Sequence, residues 1–147
     1  MTMKTYLIIA TSVLSLQLAG CATTSTTKSG AVGVERKQYV GLVSEKEAEQ
    51  ESALAYQKTV KEAQDKKVLN TDSKETQRVR NIANRLIAQV GVFRPDALNW
   101  KWEINVMDSK EVNAYCMAGG KIMVYTGLLD QIKPSDDELA AVMGHEI

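Results

Sequence analysis

Between Val79 and Val106 the apolar period changes from that of a helix to that of a strand, and few fold classes accommodate both. Val79, Ile82, Ala83, Leu86, Ile87 and Val90 recur at steps of three and four. That spacing predicts one helix over about 74–90 with a continuous apolar stripe. Arg78, Arg80, Asn84 and Gln89 take its other side, and Gly91 offers a C-terminal stop. Trp100, Trp102, Ile104 and Val106 then alternate with Lys101, Glu103, Asn105 and Met107, the two-residue period of a half-buried strand. Two tryptophans on one face of a strand are core packing before they are a binding platform. Such a mixture predicts an α+β fold, with helices packed on a small sheet.

The flanking segments extend this pattern. Ser44-Glu45-Lys46-Glu47 is a capping box and opens a helix to about Lys67. Its apolar stripe (Ala48, Ala55, Thr59, Ala63) is thin, so the helix is expected to wrap the surface. Asp72 and Glu75 can cap the helix that follows. Val112 to Met117 reads as a second strand, Ala118-Gly119-Gly120-Lys121 as a hairpin turn, and Ile122 to Tyr125 as a third strand. Gly127-Leu128-Leu129 begins a short helical turn that Pro134 ends. Ser135-Asp136-Asp137-Glu138 is a second capping box, with acidic residues suited to the helix dipole. The last helix is expected to run from Asp136 to the end, with Leu139, Val142, Met143 and Ile147 toward the core.

The N-terminus carries a different signal. Lys4 precedes a short apolar run, Tyr6 to Leu16. It falls short of the ~20 residues a spanning helix requires and reads as a secretory signal over 1–20. The run ends in Leu18-Ala19-Gly20-Cys21, which resembles a bacterial lipobox. That resemblance implies that Cys21 becomes a lipidated first residue, anchored by several acyl chains where one would be marginal. Ala22, where an inner-membrane retention signal would carry Asp, points to the outer membrane and its periplasmic face. Residues 21–43 are small and polar and read as the lipidated cysteine and a flexible tether. Residues 44–147 read as the folded domain.

Eighteen basic and 18 acidic side chains balance, which gives no reason to expect nucleic acid as a partner. With Cys21 lipidated, Cys116 stands alone. It is a small buried hydrophobe, the partner of a cysteine elsewhere, or a reactive thiol. A thiol-protease role is disfavoured, because the single histidine is His145.

The final residues are Gly144-His145-Glu146-Ile147. His-Glu-x-x-His on a helix is a zinc-protease signature: the histidines lie on one face a turn apart, and the glutamate between them acts as general base. The first histidine, the glutamate and one spacer are present, and the rest of the motif is expected beyond Ile147. On this reading His145 is a Zn2+ ligand. Glu146, about 100° round the helix, takes a proton from water and passes it to the leaving amine. A third protein ligand has to come from further downstream, so these residues alone are expected to be inactive.

Val112-Asn113-Ala114 through Gly119-Gly120, then Thr126-Gly127-Leu128-Leu129, then Gly144-His145-Glu146 occur in the order and spacing of the HtpX and CAAX-prenyl-protease family of zinc metallopeptidases. The chain resembles that family over roughly 75–147, most densely from Val112, and looks most like its periplasmic lipoprotein branch. The resemblance implies a zincin-like domain with one Zn2+ per complete domain, His145 as first ligand and Glu146 as catalytic residue. It also implies that the strand around Asn113 and Ala114 is an edge that takes an extended peptide by strand addition. By analogy the substrates would be misfolded or misassembled envelope proteins. The alternative is a non-catalytic, chaperone-like assembly lipoprotein that binds unfolded strands by the same edge.

Overall fold

A computed structural model describes residues 23–25, 37–39 and 44–147. The signal segment 1–20 and Cys21 lie outside the described residues, as does most of the stretch read as a tether. Within that stretch β1 (Thr23–Ser25) and β2 (Lys37–Tyr39) pair antiparallel as a two-stranded ribbon. Among the described residues no helix is long and apolar enough to cross a membrane.

The domain has three layers. Its middle is a three-stranded mixed sheet of β3 (Glu103–Met107), β4 (Ala114–Met117) and β5 (Lys121–Tyr125), in the order β3-β5-β4. β5 is central, parallel to β3 and antiparallel to β4. The register aligns Ile104 and Cys116 with Ile122, and Val106 and Ala114 with Val124. Period two therefore puts all six side chains on one face. On that face lie α2 (Ser73–Ile87) and α4 (Asp136–Glu146). Val79, Ile82, Ala83, Leu139 and Met143 close the core with Leu128 and Leu129. The last two belong to a π-helical turn, Leu128–Ile132.

The opposite face carries α1 (Glu45–Asp65), whose Ser44 cap is the capping box expected. This helix is more than a surface wrap. Tyr56 is fully buried, its hydroxyl donates to Ile122 O in the central strand at 2.5 Å, and it accepts from Asn105 Nδ2 at 3.1 Å. Of the expected stripe Ala63 is buried and Ala48 and Thr59 are partly buried, but Ala55 is exposed and its neighbour Tyr56 faces the sheet instead. A single large aromatic outweighs several alanines in deciding which side of a helix is buried.

Three further expectations change. The central helix stops at Ile87, and Val90 and Gly91 belong to α3 (Val90–Phe93), a single turn before a 3₁₀ turn at Pro95–Asn99. Gly91 is there for space, since a Cβ on it would lie 2.7 Å from Leu98 Cδ1. Trp100 and Trp102 precede β3. Trp102 donates from Nε1 to Ala97 O at 2.9 Å, and Arg94 stacks 4.7 Å above the Trp100 ring. Arg80, expected in solvent, instead donates from Nε to Ile104 O at 3.1 Å. A long guanidinium stem can cross an apolar edge and still satisfy its head on a strand carbonyl.

The β4–β5 hairpin closes through Gly119 and Gly120, at φ 77° and 78°, a region where a side chain is strained. Lys121, next in the chain, is buried. It donates from Nζ to Glu103 Oε1 at 2.7 Å and to Lys101 O.

Candidate active site

The direction of α4 determines where its last turn sits. Asn70, just before α2, exchanges backbone and side-chain hydrogen bonds with Val106 at the end of β3, both 2.8 Å. Arg80 in mid-helix reaches Ile104. So α2 runs antiparallel to β3. Arg78 on α2 donates to Asp136 Oδ1 at 2.7 Å and to Pro134 O at 2.6 Å, at the start of α4. At the other end, Gly144 faces Leu86. The helices α2 and α4 are therefore parallel. β5 is parallel to β3 and β4 is antiparallel to β5, so α4 and the edge strand β4 run in the same direction.

The Ser135 capping box fixes where that helix begins: Ser135 Oγ accepts from Glu138 N at 3.4 Å, and Glu138 Oε2 accepts from Ser135 N at 2.8 Å. Leu139 and Met143 bury one stripe. Positions advance by about 100° per residue, which puts Ala140 and Gly144 toward α2 and Val142, His145 and Glu146 on the flank of β4. Val142, expected in the core, is 37% exposed. Ile147 is partly buried against the core, as expected.

β4 is a sheet edge. Tyr125 N donates to Asn113 O at 3.0 Å, so Asn113 is bonded inward, one residue before the strand begins. Antiparallel pairs alternate in bonding, so Tyr115 and Met117 also turn inward. The main-chain groups of Ala114 and Cys116 are those that point out from the free edge. Their side chains face α4. Cys116 is half-buried, and its thiol donates to Met117 O at 3.6 Å. Burial first, and then the Glu146 carboxylate, push that thiol up to about 11. Glu146, exposed on the last turn of α4, therefore lies on the side of that helix from which its charge reaches Cys116. Cys116 is unpaired among the described residues. Its place on the α4 face of the sheet was not anticipated, although counting residues back from the Gly119-Gly120 turn sets it on the same face as Ala114.

His145 is exposed on the last turn of α4. A zinc site for hydrolysis takes three protein donors with one open position. Among the described residues no three His, Cys, Asp or Glu side chains converge. His145 fits one coordination position, and the arrangement leaves its ring free to fill it.

Residues 73–147 match the family model of peptidase family M48. The chain belongs to peptidase family M48. The layers described above have the α+β architecture expected from the sequence. Among individual relatives, a mitochondrial metalloendopeptidase OMA1 of Arabidopsis thaliana is 52% identical over 46 residues, 31% of this chain and 9% of the relative. The metalloprotease LoiP of Escherichia coli is 38% identical over 76 residues, 52% of this chain and 27% of the relative. A mitochondrial metalloendopeptidase OMA1 of Schizosaccharomyces pombe is 37% identical over 68 residues, 46% of this chain and 18% of the relative. The matched stretches thus span between 9% and 27% of these M48 relatives. No solved structure matches the chain.

Proposed function

We propose that the whole protein carrying these residues is a zinc-dependent metalloendopeptidase of the bacterial envelope, acting on misfolded or misassembled proteins. The observation that carries this reading is that the helix bearing His145 and Glu146 packs beside the edge strand β4, inside the stretch that matches family M48. Relatives named as metalloendopeptidases or metalloproteases support it.

In this mechanism Ala114 and Cys116 hold an extended substrate by main-chain hydrogen bonds. Glu146 takes a proton from the attacking water and delivers it to the leaving amine. Zinc, held in part by His145, supplies Lewis-acid polarisation when bound. The burial of Leu139 and Met143 keeps α4 fixed, so His145 and Glu146 do not drift relative to the edge strand.

The whole protein is expected to cleave unfolded casein, to lose activity on zinc chelation, and to regain it on zinc addition. Glu146→Gln should keep zinc and reduce cleavage by at least about a hundredfold, the usual scale for a general base. Casein binding without cleavage by the zinc-loaded wild type would establish the non-catalytic assembly role instead. The Leu18-Ala19-Gly20-Cys21 motif supports anchoring at the periplasmic face of the outer membrane. Fractionation of a Cys21→Ser variant tests this, and an unchanged membrane-bound share would refute it.

A further inference from the structure

The free edge of β4 has an aromatic corner on the face away from α4. Tyr115 lies within β4, and the register pairs it with Met123 of β5. Period two therefore turns its side chain, with those of Met123 and Tyr125, toward the α1 face. The helix α1 crosses that face on a diagonal. It starts by the hairpin turn, where a Cβ on Gly119 would lie 3.5 Å from Glu49 Cγ, and passes Ile122 at Tyr56. The chain leaving it bonds beyond β3, where Asp108 N donates to Val68 O at 2.7 Å. That path leaves the corner where β4 begins and β5 ends. Tyr115 and Tyr125 fill the corner, with ring centroids 6.2 Å apart and planes at 88°, an edge-to-face pair. Both are half-buried, so part of each side chain stays open to solvent.

The outward main-chain groups of Ala114 and Cys116 define what this corner meets. They have no partner among the described residues, and they match a chain in extended conformation. An antiparallel strand bonded to them sets one residue opposite Tyr115. The main chain of Tyr115 bonds inward to β5. The new pair is therefore of the non-hydrogen-bonded kind, with Cα atoms about 4.5 Å apart and side chains at their closest. The side chain opposite falls on the same face as Tyr115, beside its ring. We propose that Tyr115, backed by Tyr125, is a specificity-determining residue of this edge, and that it selects extended substrates with an aromatic or large aliphatic side chain at the position it faces. Phenylalanine or leucine there covers the open part of the ring, whereas an acidic side chain loses water without gaining a charged partner. The inference rests on the reading of β4 as the substrate edge of a peptidase.

The test uses the whole zinc-loaded protein and peptides that carry Phe, Leu, Ser or Asp at one position at a time, scanned along the peptide. Cleavage is followed as kcat/KM, and binding to the zinc-loaded Glu146→Gln protein by fluorescence anisotropy. One position is expected to favour Phe and Leu over Asp by about two- to tenfold in both readouts, the range of an aromatic pair. Tyr115→Phe keeps the ring and should keep that preference. Tyr115→Val keeps a strand-forming residue and should reduce the preference to less than about twofold. Preferences at the adjacent positions, whose side chains face α4, should stay unchanged, which a mere loss of structure would not produce. A peptide with benzoylphenylalanine at the selected position reads the contact in wild type, whatever the variants do to the fold, and should crosslink to Tyr115 or Tyr125. Crosslinks to α4 alone, or a preference that Tyr115→Val retains, would overturn the role of Tyr115, while cleavage leaves the peptidase reading intact. The same preference in binding, without cleavage by wild type, would sustain the role of Tyr115 and overturn the peptidase reading. Peptides that are neither bound nor cleaved would overturn both.

Discussion

Replacing Tyr56 by phenylalanine removes a single oxygen and tests how α1 is held to the sheet. Tyr56 is fully buried, and its hydroxyl makes two hydrogen bonds, to Ile122 O and from Asn105 Nδ2. The lost bond to Ile122 is worth about 1 kcal/mol net, and leaving the Asn105 donor without its acceptor adds about 1–2 kcal/mol. The ring itself stays, so no large cavity term enters. The sum is about 2–3 kcal/mol. With a urea slope of about 1–3 kcal/mol/M, the midpoint of unfolding should fall by about 1 M. Leu54→Ala on the same helix is the control: Leu54 is 69% exposed, and its truncation should stay within about 0.5 kcal/mol. Asn105→Ala closes a double-mutant cycle, and the pair should cost less than the sum of its members by about 1 kcal/mol. If Tyr56→Phe unfolds within about 0.5 kcal/mol of wild type, the hydroxyl does not secure the helix and the reasoning fails.

Two further outcomes follow from close approaches in the structure. A Cβ on Gly127 would lie 2.3 Å from Glu111 O, so Gly127→Ala should cost about 2 kcal/mol or more in thermal unfolding. Gly144→Ala meets only Leu86 at 3.9 Å and should be neutral or stabilising by up to about 1 kcal/mol; equal losses from the two would contradict the packing described. The Cys116 thiol is raised from 9.0 to about 11, by burial and then by Glu146. The folded state thus favours the protonated thiol. Stability from this group is fully present below pH 9 and is lost as pH rises from 9 toward 11, where the unfolded thiol ionises and the folded one does not. Glu146→Gln removes one cause, so iodoacetamide should alkylate Cys116 faster in that variant at pH 8–9. Equal rates would separate the two side chains.

The elements with strong periodicity were legible, and those whose burial depends on a single contact were not. The stripe from Val79 to Leu86 identified α2, and the two serine capping boxes marked the starts of α1 and α4, because caps and stripes are local. Tyr56 was missed because its burial comes from a partner 66 positions away, and nothing near it in sequence reports that. Arg80 was read on the solvent side of its helix and Lys121 as a turn residue. Arg80 is satisfied by the Ile104 carbonyl of β3, and Lys121 by the Lys101 carbonyl just before β3 and by Glu103, groups that only the fold brings near. The central helix read through to Val90 because Ile87 and Val90 keep the helical step. The chain nevertheless turns between them, and the close approach of Leu98 to Gly91 shows how the turn packs.

At the site, the sequence motif named the candidate residues and the sheet supplied their direction. His145 and Glu146 could be named from the motif alone, but a motif does not say which flank of its helix meets a substrate. That flank follows from the three-residue loop between Met117 and Lys121. The register pairs those two residues and makes β4 an edge. The Tyr125–Asn113 hydrogen bond then leaves the main-chain groups of Ala114 and Cys116 outward. One residue more or less in that loop would move every β4 side chain to the opposite face. Tyr115 and Met117 would then face α4 in place of Ala114 and Cys116. The two hairpin glycines, each with positive φ, therefore do more than close a turn. By fixing the register they decide which strand residues face α4.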